Sequence, residues 1–260
     1  MIKKAGFTLI ELVLTLAIVG ILASGFIGFL GIGSQVFIDV SNRDAMAADA
    51  RFALDRLNRE LQNAIPNSIR LSQDGDTQCI EFVPIKSAHF YTELAAESDL
   101  QSSIIKIVRP LFPYIQERTD RIIVAPLEPN DAYDLGALRA SNMGSVNEQQ
   151  EVWEIDLKKA MTFAAHSPHR KLFIGSLPVS YCLSMATKEL YRHSDYGFKP
   201  EARVQKMGVL MAENVSAVNS PAFRYQGAFS SFGVVHVNLA FSRNGESIVF
   251  RYGVYIEQTP

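Results

Sequence analysis

Glu11 is the residue whose chemistry stands out. It lies in Lys3-Lys4-Ala5-Gly6-Phe7-Thr8-Leu9-Ile10-Glu11-Leu12, and from Phe7 to Ile38 no other residue is charged. An ionised side chain in hydrocarbon costs about 2.5 to 3.5 kcal/mol on insertion scales, so this carboxylate calls for a cation. No basic side chain occurs between Lys4 and Arg43. Cleavage between Gly6 and Phe7 would create one, an α-amine on Phe7 with an unperturbed pKa of about 7.7 to 8.0. The same cut places Glu11 near the positive end of a helix dipole, where a carboxylate is favoured. Within one chain the amine and Glu11 are more than a helical turn apart, so the expected pairing is with a neighbouring subunit's amine.

Other arrangements offer less chemistry. Of the histidines His89, His166, His169, His193 and His236, only His166 and His169 are close in sequence, and Pro168 between them prevents a helical metal-binding face. Asp74-Gly75-Asp76 begins like a calcium loop but lacks the later acidic positions, and reads as a turn. There is no G-x-S-x-G elbow, P-loop or G-x-G-x-x-G. The expectation is a non-enzymatic protein with no cofactor and no metal site. Tyr181, Tyr191, Tyr196, Phe198, Tyr225, Tyr252 and Tyr255 are expected to pack in a core or on sheet faces.

The element that carries Glu11 is an apolar run from 7 to 38, longer than the roughly 20 residues needed to span a bilayer as a helix. Lys3 and Lys4 precede it, which by the positive-inside rule keeps the N-terminus cytoplasmic and sends the chain from about Asp39 outward. A secretory signal peptide shares this layout, with Ala23-Ser24-Gly25 as its cleavage site. Against it, an acid inside the apolar run serves nothing in a segment destined for removal. Gly20, Ser24 and Gly28 recur every four positions, the small-residue spacing that lets membrane helices approach closely. Ordinary membrane-helix composition accounts for the same glycines.

Residues 39–66 continue the helix with an apolar stripe through Ala45, Phe52, Leu54, Leu57, Leu61 and Ile65, and Pro66 ends it. The two parts together read as one helix roughly 90 Å long. Residues 67–260 then read as a β-rich head. Strands are expected at Cys79–Val83, Ile104–Val108, Arg121–Ala125, Val152–Leu157, Lys171–Ile174, Val179–Ser184 and Glu189–His193. A last pair, Val234–Phe241 and Ser247–Ile256, is joined through Asn244-Gly245. Their alternation implies an antiparallel, half-exposed sheet lying on the helix. Between Ala88 and Gln150 the longer irregular stretches, Pro126–Pro129 and Leu138–Gln150, are expected to be surface loops. The fold class is therefore α+β.

Twenty-five Lys and Arg against 27 Asp and Glu leave no basic surplus for a phosphate backbone, so nucleic acid is not an expected partner. The two cysteines, Cys79 and Cys182, lie beyond the apolar run. In an oxidising compartment they can form a bridge closing about a hundred residues, worth about 4.7 kcal/mol in the chain-entropy model; two buried thiols are the other reading.

Lys3 to Leu12, a short basic leader ending in Gly and followed by Phe-Thr-Leu-Ile-Glu and an apolar helix, resembles the start of type IV pilins and type II secretion pseudopilins. That resemblance implies a leader of residues 1–6, a cut after Gly6 by prepilin peptidase, N-methylation of Phe7, and a role for Glu11 in filament entry. It also implies partners among minor and major pilins and the inner-membrane assembly platform. Further on, Arg51 to Asn67, Cys79 to Ile85, Val179 to Leu183 and the Asn244-Gly245 hairpin are similar to minor pilins of the mannose-sensitive haemagglutinin pilus. PilW-type minor pilins and the J pseudopilin are their broader kin. The role implied is a minor subunit at initiation or at the tip. A secretion pseudopilin, or a membrane-tethered periplasmic binding protein or adhesin, stands as the alternative.

Overall fold

The computed structural model describes residues 8–111, 117, 119–148, 151–202, 208–219, 221–227 and 232–257. The chain divides into two compact units, Met1–Ala48 and Asp49–Pro260, each described by itself.

The first unit is helical. The helix α1, Leu9–Gln62, begins there and continues into the second unit. Its window Leu9–Phe26 has a mean hydropathy of 2.3 and none of it is buried.

In the second unit α1 buries Ala50, Ala53, Leu54, Leu57 and Leu61. These positions repeat with the 3- and 4-residue steps of one helix face. This corrects the expected stripe, since Phe52 is 61% exposed and Ala45 is exposed as well. Small Ala50 and Ala53 share the inward face with the leucines. The helix also stops at Gln62, before the expected Ile65. There the backbone turns to strand-like pairing: the Ile65 amide donates to the Val83 carbonyl at 2.8 Å, and the Ile85 amide to the Asn63 carbonyl at 2.8 Å. Pro66 disfavours helical geometry at the residue before it, which releases Ile65 for this pairing.

Among the described residues the strands are β1 (Arg70–Asp74), β2 (Thr77–Phe82), β3 (Ile85–Glu93), β4 (Ser102–Val108), β5 (Arg121–Val124), β6 (Ala140–Asn147), β7 (Val152–Met161) and β8 (Lys171–Gly175). They continue with β9 (Val179–Ser184), β10 (Glu189–His193), β11 (Val209–Glu213), β12 (Val215–Ala217), β13 (Phe223–Gln226), β14 (Phe232–Arg243) and β15 (Glu246–Glu257). One antiparallel sheet has the order β1-β2-β9-β10-β11. In a second, β14 carries β15 along one edge and β12 and β13 along the other. The β14–β15 turn has Asn244 at φ 50° and Gly245 at φ 85°, the left-handed pair that a tight hairpin demands. Val235, Val237, Leu239 and Phe241 are buried, as their alternation requires.

Strands β3-β4-β7-β6-β5-β8 close into an antiparallel barrel. It lies in sequence between β2 and β9, which are themselves paired neighbours. Its interior is packed with Tyr91, Ile105, Ile107, Ile122, Val124, Met143, Trp153, Ile155, Leu172 and Ile174. The opposite faces of β5 and β8 are buried too, because Ile123 and Phe173 join Ile65, Val83, Ala132, Tyr133 and Ala140 in a second core. Double-sided burial explains the unbroken apolar runs of these strands.

The barrel corrects the expectation of a surface loop over Leu138–Gln150, where β6 forms. That strand is polar, and its pairing with β7 shifts register between Met143 and Val146, so it shows no clean period of two. Gly144 fits there because a Cβ would stand 2.8 Å from the Asp156 carbonyl oxygen.

Candidate assembly site

Glu11 sits in the first turn of α1. The Glu11 and Leu12 amides donate to the Thr8 carbonyl at 3.1 and 3.2 Å, and the Thr8 hydroxyl is 3.5 Å from Glu11 Oε2. Thr8-Leu9-Ile10-Glu11 thus has the spacing of a capping box, in which a side chain three residues into the helix satisfies its first backbone amides. That spacing is present in the sequence, and the contact it brings about is side chain to side chain, from the Thr8 hydroxyl to Glu11 Oε2. Gly6 and Phe7, the cleavage and methylation positions, lie outside the described residues.

A Cβ on Gly20 would meet nothing within 4 Å, and the Ser24 hydroxyl donates to the Ile21 carbonyl at 2.8 Å. The Ser24 hydroxyl is thus satisfied within its own helix. Gly28 also lies in α1, but its surroundings are outside those described.

In the head, Cys79 and Cys182 form a disulfide between directly opposed residues of β2 and β9, with Cα atoms 4.1 Å apart. Beside them runs a polar network that sequence reading missed. Arg70 and Glu81 are buried and paired across β1 and β2. The Arg70 guanidinium also donates to the Lys199 carbonyl at 2.8 Å and the Pro200 carbonyl at 2.9 Å, and lies 3.5 Å over the Tyr133 ring. Tyr196 donates to Glu81 at 2.7 Å, and burial with the nearby Glu81 charge pushes its pKa up. Arg121 lies 3.7 Å over Phe198 and donates to the Tyr133 carbonyl at 2.7 Å; burial brings its pKa down to about 10. Together these residues fasten the segment from Tyr196 to Pro200 onto the head.

Two clefts remain. One, of about 370 Å³, lies at the barrel rim and is lined by Tyr91, Glu93, Asp99, His166 and Arg170 among others. Its polar groups are largely committed: the Ser167 amide donates to the Tyr91 hydroxyl at 2.9 Å, that hydroxyl is 3.3 Å from His166 Nδ1, and Glu93 pairs with Lys106 at 2.8 Å. The other, of about 230 Å³, is formed by Arg51, Leu54, Asp55 and Asn58 of α1 with Phe250 and Tyr252 of β15.

Residues 1–27 match the family model described as the prokaryotic N-terminal methylation motif. No curated protein and no solved structure matches the chain. The motif supports a type IV pilin-like or pseudopilin-like protein, with processing by prepilin peptidase and assembly with other pilins as what it implies. The apolar helix window Leu9–Phe26, within the span of the motif, fits a membrane anchor, with the β-rich unit as the remainder.

Proposed function

We propose that the chain is a minor, non-enzymatic subunit of a type IV pilus. Prepilin peptidase cuts it between Gly6 and Phe7 and N-methylates Phe7. The helix holds it in the inner membrane, N-terminus cytoplasmic and head periplasmic, until the assembly platform passes it into the filament at initiation or the tip. Glu11 then meets the α-amine of an adjoining pilin, and Gly20, Ser24 and Gly28 give the close-approach face among packed helices. The observation that carries this reading is the methylation motif continuous with an unburied apolar helix that bears an acid in its first turn. The sequence resemblance over Arg51 to Asn67, Cys79 to Ile85, Val179 to Leu183 and the Asn244-Gly245 hairpin is the ground for reading it further as a minor pilin of the MshO type.

Intact-mass and N-terminal analysis of the mature protein tests the reading, with N-methyl-Phe7 expected. A mature N-terminus at Gly25 or beyond would instead make it a tethered binding protein or adhesin. Co-purification with secretion components, rather than pilus components, would assign it to a type II pseudopilus.

A further inference from the structure

Edge strands invite pairing with another chain, and proteins blunt them by keeping them short, bulged or interrupted by proline. The head's other sheet edges follow this rule. β1 and β11 have five residues each, β12 three and β13 four, and the pairing of β10 with β11 carries a bulge at Leu190/Tyr191. β15 departs from it in length and regularity; of the usual guards it keeps charge, in the exposed Glu246 and Arg251. It runs twelve residues without proline, pairs with β14 in unbroken register from Phe232↔Glu257 to Arg243↔Glu246, and has no second partner among the described residues. Every other backbone amide and carbonyl along it therefore has no strand partner among the described residues.

The groove lies beside that edge. Its lining combines the apolar Leu54 and Phe250 with the polar Arg51, Asp55 and Asn58 of α1. The Tyr252 hydroxyl is buried without a hydrogen-bond partner. Arg51 makes no ion pair among the described residues, and the groove has room for one or two side chains rather than a helix. A long, regular strand edge without a described partner, flanked by a narrow slot, suits one kind of occupant, an extended peptide.

We propose that the β15 edge and its groove accept an extended strand from the neighbouring pilin-like subunit, by backbone pairing along Glu246–Glu257. This rests on the assembly reading. Subunits held in one membrane in one orientation meet through unlike surfaces, so the incoming strand is not the neighbour's own β15 counterpart.

The test places a photo-crosslinking amino acid at Val249 and Tyr255, both exposed on β15, and at Leu71 on β1 as a control, in full-length protein within cells making the native assembly. Adducts from both β15 positions to one extended segment of another subunit are expected, with Leu71 giving none to that segment. Absence of β15 adducts, or adducts to a helix or to β15 of a second copy, would overturn the proposal. Proline at 249 and at 250 adds a second reading, since adjacent amides point to opposite sides and only one is used by β14. The variant that keeps its melting temperature should enter filaments about tenfold less, the worth of one lost interfacial hydrogen bond; normal entry would count against the proposal. If N-methyl-Phe7 is absent, the assembly reading itself fails. If it is present and the chain enters filaments without β15 adducts, only the strand-addition proposal fails.

Discussion

Two roles for Glu11 are separable by substitution: the local contact with the Thr8 hydroxyl in the first turn and, in the proposed assembly, a charge for a neighbour. Glu11→Gln keeps an acceptor for the Thr8 hydroxyl but removes the charge. If docking depends on an ion pair, Glu11→Gln and Glu11→Ala should both be cleaved and methylated normally and both be missing from sheared filaments; normal incorporation of Glu11→Gln would reduce the residue to its local contact. In the head, breaking the buried Arg70–Glu81 pair leaves one charge uncompensated, so Arg70→Met should cost about 3 to 5 kcal/mol by denaturant unfolding, and Arg70→Met with Glu81→Leu clearly less than the single change. That pair was legible in principle. Asp74-Gly75 reads as a turn from sequence, and the register around it sets Arg70 opposite Glu81; only the polar composition of β1 hid the strand. Alkaline pH probes the same interior. Burial raises the pKa of Tyr133, Tyr181 and Tyr196, and that of Tyr252 to about 12. Each raised value is stability present below the ordinary tyrosine pKa near 10 and lost as pH climbs through the folded value. Unfolding free energy should therefore fall between pH 10 and 12, with a shallower fall in Tyr252→Phe; an unchanged slope in that variant would show its hydroxyl to be solvated.

At the scale of elements, the C-terminal part of α1 shows what periodicity reveals and what it misses. Its spacing suffices to identify a helix with one inward face, and Leu54, Leu57 and Leu61 lie on that face as expected. Hydrophobicity alone misplaces Phe52, which is exposed, while the less conspicuous Ala50 and Ala53 are buried. Leu57→Ala should cost about 2 to 5 kcal/mol, as a large-to-small change in a packed core does. Phe52→Ala, at a side chain 61% exposed, should stay within about 0.5 kcal/mol. Comparable losses from the two would return Phe52 to the core. The strands divide similarly. β14 and β15 were readable because one face is dry and one wet and the turn residues are Asn-Gly. β3 and β6 were not, because their pairings shift register and their stability comes from closure of the barrel, a property of neighbours distant in sequence.

For the head as a whole, the feature invisible to sequence is that six barrel strands are threaded between two paired strands of another sheet, with the disulfide across the neck. The chain-entropy value of that bridge depends on whether the barrel folds without help. If barrel and sheet fold together, Cys79–Cys182 closes a loop of 103 residues, worth about 4.7 kcal/mol. If the barrel folds alone, its own ladder already brings Ile85 opposite Gly175. The bridge then closes only the short stems to either side, a value nearer the roughly 3 kcal/mol of a fifteen-residue loop. The barrel has a closed ring of strand pairings and its own apolar interior, which favours the autonomous case. Trp153, the sole tryptophan, lies inside it and reports on it alone. In Cys79→Ala with Cys182→Ala, the Trp153 fluorescence transition should keep its denaturant midpoint while the remaining circular-dichroism transition loses about 3 kcal/mol. A Trp153 midpoint that moves together with the rest, at a cost nearer 4.7 kcal/mol, would make barrel and sheet one cooperative unit.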